Sequence, residues 1–186
     1  MSKALLKPAT YDDILALPDY KVGEVISGML YAQPRPAPKH VRFSSGMGSE
    51  LFGAFDRGRN GPGGWWILDE PELHLGQDVL VPDLAGWRRE TMPSLPQTAW
   101  FEQAPDWVAE ILSPSTARKD RALKMPKYAE YGVKHCWLID PDVRTLEAFE
   151  NRDGMWTLLG VWGEEDAVAV KPFDAVAIEL AGLWVD

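Results

Sequence analysis

The sequence predicts an α/β domain built on a mixed β-sheet. Three observations carry that expectation. Residues 107–139 run as an apolar strand, a polar-faced helix and a second apolar strand, an order that calls for a parallel crossover. Two hairpin signals, Ser27-Gly28 and Asn151-Arg152-Asp153-Gly154, separate strand-like runs. Phe43, Met47, Leu51 and Phe55 recur every four residues, the stripe of a helix packed against an apolar surface. At 186 residues, with 46% hydrophobic and 25% charged side chains, the chain fits one compact domain. Within it, residues 10–31 form an N-terminal helix and hairpin, 40–161 the core and 162–186 a C-terminal extension.

Thr10 with Asp13 three residues on is a helix N-terminus, and Pro18 stops the short helix that begins there. Residues 22–26 and 29–31 pair as a hairpin. The segment 33–39 holds three prolines and reads as an extended loop before the helix that His40 opens. Glycine-rich 57–64 is a loop, 65–68 a strand and 72–75 a further short one. Residues 79–84 read as a strand whose Pro82 favours an edge, a bulge or an end, with Trp87 in its continuation. Prolines at 93, 96 and 105 make 90–105 a surface excursion. Residues 107–112 are apolar except for Glu110, as in a central strand covered on both faces. Ser115 or Thr116 caps a helix over 119–131, which Pro126 kinks or restarts and Gly132 closes. Then come strand 134–140, whose closing Asp140 serves a local turn, the turn itself at Pro141-Asp142, a hairpin of 145–149 with 155–161, and short strands at 167–170 and 176–180.

Composition narrows the function. The net charge of −9 is the wrong sign for a nonspecific coat on nucleic acid, although clustered acids that hold a divalent cation also add negative charge. A single cysteine, Cys136, supports neither a disulfide framework nor a thiolate metal site, and points to a reducing cytoplasm. Residues 1–6 carry no leader pattern, and charges interrupt every apolar run, so no membrane span is expected. The nine tryptophans are expected in the core or between subunits rather than as a base-stacking surface.

The chemistry-bearing residues cluster from 79 to 140. A carboxylate in so apolar a run as Val108-Ala109-Glu110-Ile111-Leu112 needs a metal ion, a basic partner or an edge facing water. Asp83 ends another apolar run. Two acids converging on one point repel unless a cation lies between them, and hard carboxylate oxygens suit Mg²⁺ or Mn²⁺. Asp120, Lys124 and Tyr128 come next, at four-residue spacing on one helix face. Lys124 is placed to neutralise charge on a phosphoryl group, while a solvated face with an ordinary ion pair is the plainer alternative. His40, at a helix start, is a candidate to orient a phosphate or a water or to help bind metal, with a helix-capping or surface histidine as the plainer alternative. His74 and His135 lack partners at ligand spacing and read as structural.

Glu24…Gly28, His40, Pro82-Asp83, Glu110-Ile-Leu-Ser-Pro-Ser-Thr, Asp120…Lys124…Tyr128, Gly132-Val133 and Trp137-Leu138-Ile139-Asp140-Pro141 together resemble the Uma-type (DUF820-like) restriction-endonuclease family of the PD-(D/E)XK nuclease superfamily. The resemblance runs from about Thr10 to Val161. It implies a restriction-endonuclease-like core, a mixed sheet flanked by helices, often in a homodimer acting on DNA. It also implies phosphodiester hydrolysis dependent on Mg²⁺ or Mn²⁺, with Asp83 and Glu110 as metal ligands and Glu24 as an additional acid that joins them at the metal directly or through water. The pattern departs at one place: the motif lysine two residues after the acid is replaced by Leu112, and Lys124 is the nearest substitute. A nuclease-fold domain that binds nucleic acid or protein without turnover is the alternative.

Overall fold

The computed structural model describes residues 7–184; the segment 1–6, read above as lacking a leader pattern, lies outside them. The elements in chain order are α1 (Tyr11–Leu15), β1 (Lys21–Ile26), β2 (Met29–Pro34), α2 (Pro38–Leu51), β3 (Trp65–Asp69), β4 (Leu73–Leu75), β5 (Asp78–Leu80), β6 (Leu84–Arg88) and β7 (Trp107–Ile111). After them come α3 (Ala117–Lys119), α4 (Met125–Glu130), β8 (His135–Asp140), β9 (Thr145–Arg152), β10 (Met155–Gly163), β11 (Ala167–Val168) and β12 (Ile178–Glu179). Two π-helical turns, Phe52–Asp56 and Asp120–Lys124, extend α2 and join α3 to α4.

The strands form a six-stranded sheet in the order β10-β9-β8-β7-β6-β3, a four-stranded sheet β2-β1-β5-β4 and a ribbon of β11 with β12. The only parallel pair among them is β7 with β8, the crossover expected from 107–139; its neighbours pair antiparallel. The fold is therefore mixed α/β, with sheets flanked by helices. No helix among the described residues is long and apolar enough to cross a membrane.

Strand alternation divides the core. Trp107, Ala109 and Ile111 face one side with Trp137 and Ile139, where α2 lays down Phe43, Met47 and Leu51. Val108 and Leu112 face the other with Cys136 and Leu138, against Met125 and Tyr128 of the α3–α4 helix and Ile26, Leu73 and Leu80 of the small sheet. Glu110 shares the parity of Val108, so its carboxylate is directed at that helix. The segment after 162 completes the first core: Phe173 is fully buried with ring centroids 4.6 Å from Phe55, 4.9 Å from Trp65 and 4.9 Å from Trp107.

Local chemistry explains the boundaries. The backbone N–H of Thr10 donates to the Asp13 carboxylate at 2.7 Å, closing the start of α1. Both hairpin turns carry two successive positive φ angles, 52° and 74° at Ser27-Gly28 and 52° and 84° at Asp153-Gly154, the twist that two-residue turns need. At the end of α4, Gly132 (φ 82°) donates to the Ala129 carbonyl and Val133 to that of Tyr128, the pair of bonds of a Schellman cap. Asp140 accepts from the backbone of Asp142 and Val143, the local turn expected of it.

Three expectations need correction. The single strand over 79–84 is instead β5 and β6 in different sheets, because Pro82 offers no amide for a ladder and the chain changes sheet through Val81-Pro82-Asp83. The loop over 33–39 shrinks to 35–37: α2 begins at Pro38, an N-terminal position where the missing amide costs nothing. Thr116 occupies the N-cap of α3, but its hydroxyl lies 3.0 Å from that of Ser113 rather than capping the helix.

If the C-terminal segment is structural core, Phe173→Ala removes a ring packed on four aromatic neighbours. It should cost about 3–5 kcal/mol in urea denaturation, the usual range for a buried phenylalanine truncation.

Candidate active site

The cleft lies where the two sheets meet the α3–α4 helix. Its floor comes from Asp83, Glu110, Asp120, Lys124 and His40; one wall is the segment from Gln33 to Ala37 and the other the loop from Ser113 to Thr116. The space between them is about 400 Å³.

The split helix is built by Pro126. Its ring would crowd the carbonyl of Ala122 and it cannot donate an amide, so a plain α-turn does not pass through it. The chain widens into the π-turn Asp120–Lys124 and restarts as α4 with Pro126 in the first turn. Both Asp120 (3% exposed) and Lys124 (2% exposed) are thereby directed inward. In a wider turn, residues five apart share a face, which brings Lys119 to the same side as Lys124.

Lys124 is the hub. Its Nζ donates to Glu110 at 2.8 Å, to the Val81 carbonyl at 2.8 Å and to Glu24 at 3.0 Å. Tyr128 donates its hydroxyl to Glu110 at 2.5 Å. The helix spacing therefore places Lys124 and Tyr128 on one carboxylate, and Lys124 reaches the acid from the helix while Leu112, two residues past Glu110, is packed in the core. Glu24 (1% exposed) lies behind the lysine, outside the residues that line the cleft. It accepts from the Val81 backbone at 2.9 Å and is ion-paired with Lys119, which also donates to Gln33 at 2.7 Å. Asp120 lines the cleft and forms no ion pair among the described residues.

Asp83 stands on the break between β5 and β6. Its Oδ2 accepts from the Ile111 backbone at 2.6 Å and lies 3.2 Å from His40 Nε2. His40 sits in the first turn of α2, with its Nδ1 buried and unpartnered. Burial opposes charge on this imidazole, but the Asp83 carboxylate outweighs it and raises the His40 pKa.

The electrostatics are lopsided. Four carboxylates (Glu24, Asp83, Glu110, Asp120) face two lysines (Lys119, Lys124), with His40 at the edge. Burial pushes Glu110 well above the ordinary carboxylate range, and Asp120, Asp83 and Glu24 add to it against the pull of Lys124. Burial raises Asp120 as well, against Lys124 and Lys119. Glu24 goes the other way: burial would raise it, but Lys124 and Lys119 together hold it low. Lys124 stays charged, since the acids around it overcome its burial. Counted formally, four carboxylates stand against two ammonium groups, and burial favours the neutral forms of Glu110 and Asp120 where no further cation is present.

That surplus bears on a divalent cation. Among the described residues no group of three or more histidine, cysteine or acid side chains is arranged to hold a metal ion. Mg²⁺ rarely uses such a cage; one or two carboxylates, water and substrate phosphate suffice. Asp83 and Glu110 fit that requirement in kind, and the Lys124 ammonium already lies against Glu110 as a cation would.

Asp83, Glu110, Lys124, Glu24, His40, Asp120 and Tyr128 are the residues singled out from the sequence; the fold gathers all seven, but Glu24 stands behind Lys124 and not in the cleft lining where a metal ligand is expected. Sequence reasoning does not find the partnership of Lys119 with Glu24, which depends on the π-turn, or the two loops that wall the cleft. His74 pairs with Glu72 at 2.7 Å, away from the cleft.

Removing the lysine alone should be costly. Lys124→Met leaves Glu110 and Glu24 buried beside an apolar chain and is expected to lose about 3–5 kcal/mol in urea denaturation, whereas Lys124→Met with Glu110→Gln should lose less than the single change.

Comparison with known proteins agrees with the fold. No curated protein matches the chain. A crystal structure from Anabaena variabilis ATCC 29413, titled a "putative nuclease belonging to DUF820", superposes with a TM-score of 0.76 at 24% identity, covering 95% of this chain and 98% of that one. At that identity the likeness is one of fold. The sequence profile of Uma2, described as "Putative restriction endonuclease", matches residues 9–181. With nearly the whole chain matched, and with the mixed sheet and flanking helices of a restriction-endonuclease-like architecture, this protein belongs to the Uma2 (DUF820) family of nuclease-fold proteins.

Proposed function

We propose that the protein is a Mg²⁺-dependent endonuclease that hydrolyses phosphodiester bonds of DNA in this cleft. What carries the reading is the floor itself: Asp83, Glu110 and Lys124 converge where two sheets and a π-turn meet, with carboxylate charge in excess. Asp83 and Glu110 would hold the ion. When bound, it polarises the phosphoryl oxygen and lowers the pKa of a water.

The chain's own groups do the rest. Tyr128 fixes the Glu110 carboxylate by its hydroxyl, and His40 and the Ile111 amide fix that of Asp83. Lys124, held on its far side by Glu24 and the Val81 carbonyl, presents its charge where the phosphoryl group becomes more negative. Lys119 keeps Glu24 in place behind it. In the hydrolysis, the water oxygen bonds to phosphorus, the P–O3′ bond breaks, and the departing 3′-oxygen takes a proton; a 5′-phosphate remains. The polarity of cleavage is taken from the superfamily by analogy.

A second reading is a nuclease-fold domain that binds nucleic acid or protein without turnover. It is favoured by one observation: both Glu110 oxygens already accept bonds, from Lys124 and Tyr128.

The two part on activity. With Mg²⁺ or Mn²⁺ and labelled single- and double-stranded DNA, the wild type should cut, and Asp83→Asn, Glu110→Gln and Lys124→Met should each lower the rate on the order of 10²–10³-fold, as loss of one preorganised electrostatic group does. A soluble, folded wild type that cuts neither form at micromolar concentration would favour the binding domain.

A further inference from the structure

A nuclease acting in this cleft could take duplex or single-stranded DNA, and the choice between them rests on the nuclease reading. Glu110 and Lys124 are each 2% exposed, so the reacting phosphate must descend between the cleft walls to meet them. Duplex DNA is stiff over a persistence length of about 150 base pairs and is usually gripped through many phosphates. The cleft gives it little to hold. Of the cationic residues that line it, Lys124 is spent on Glu110 and Glu24, and His40 on Asp83. Lys39, next to His40, is paired with Asp142.

Arg35 is the exception. It is exposed on the first wall, and its guanidinium makes one long bond, to the Asp19 carbonyl at 3.3 Å, with no carboxylate partner among the described residues. The opposite wall offers hydroxyls: Ser113 Oγ lies 3.0 Å from both Ser115 Oγ and Thr116 Oγ1. A hydroxyl can rotate to exchange a bond with its neighbour for one to a phosphate oxygen, and a guanidinium grips phosphate in a forked geometry.

We infer that the cleft takes a single-stranded or flapped DNA segment, with the phosphate next to the scissile one held between Arg35 and the hydroxyls of Ser113 and Thr116. Arg35 and this loop are substrate-positioning residues. They set where the strand sits over Asp83 and Glu110. The cleft volume of about 400 Å³ is within the range of small-ligand pockets, room for about one nucleotide at a time.

The test uses the full chain with Ca²⁺ in place of Mg²⁺ and a fluorescent oligonucleotide, single-stranded or annealed as a blunt duplex. Single strand should bind at least about tenfold tighter than duplex. Arg35→Ala should weaken single-strand binding several-fold and flatten the slope of log affinity against log salt by about 0.7, the share of one phosphate contact. Arg35→Lys should restore the slope, since it keeps the charge, and Ser113→Ala with Thr116→Val should weaken binding without altering the slope. Arg35 is exposed, and unchanged thermal unfolding of Arg35→Ala would show that its effect is on binding. In Mg²⁺, Arg35→Ala should raise KM and leave kcat within about twofold. Equal binding of duplex and single strand, or an unaltered salt slope in Arg35→Ala, overturns this inference while leaving the nuclease reading standing. Failure to bind or cut any DNA form overturns both.

Discussion

The site depends on one buried ammonium. Lys124 touches Glu110, Glu24 and the Val81 carbonyl, and these belong respectively to the central strand, the small sheet and the break between sheets. A single positive charge thus ties together the three parts of the fold that meet at the cleft. Burying a lysine and two glutamates has a large desolvation cost, and their mutual attraction, with bonds from Tyr128, Val81 and Lys119, offsets it. The offset is incomplete. Asp83 and Asp120 add two carboxylates that form no ion pair with either lysine, and burial leaves Glu110 and Asp120 inclined to take up protons even though Lys124 and Lys119 pull Asp120 down. The part of that tendency that comes from neighbouring acids is repulsion a metal cation would relieve, and this connects the packing of the site to the chemistry proposed for it.

Much of this was legible in the sequence because residue parity and spacing dictate it. Glu110 stands out since a carboxylate in an otherwise apolar strand must be answered by something. The four-residue steps from Asp120 to Lys124 to Tyr128 put a cation and a hydroxyl on one side of a helix, and both reach Glu110. The hairpin turns and the helix end at Gly132 were readable because positive φ leaves its mark in the residue types.

Other features leave no such mark. Pro82 is equally compatible with an edge, a bulge or a strand end, so the transfer of the chain from one sheet to the other at Val81-Pro82-Asp83 could not be chosen in advance. The π-turn before Pro126 changes the angular step for five residues, and Lys119 meets Glu24 only through it. The walls of the cleft are loops, whose proximity depends on how two sheets pack. Phe173 and its segment, read as an extension, close the core on the face opposite the cleft. The absence of a lysine at position 112 is explained by geometry: the helix delivers Lys124 to Glu110, and position 112 is left free to be apolar core.

The measurement that bears most directly on the central proposal is a crystal soaked in Mn²⁺, read by its anomalous scattering. Metal-dependent hydrolysis in this cleft predicts a peak against the carboxylates of Asp83 and Glu110, lost in Asp83→Asn with the fold intact. A well-ordered cleft with no Mn²⁺ at millimolar concentration, or Mn²⁺ bound elsewhere, would contradict it.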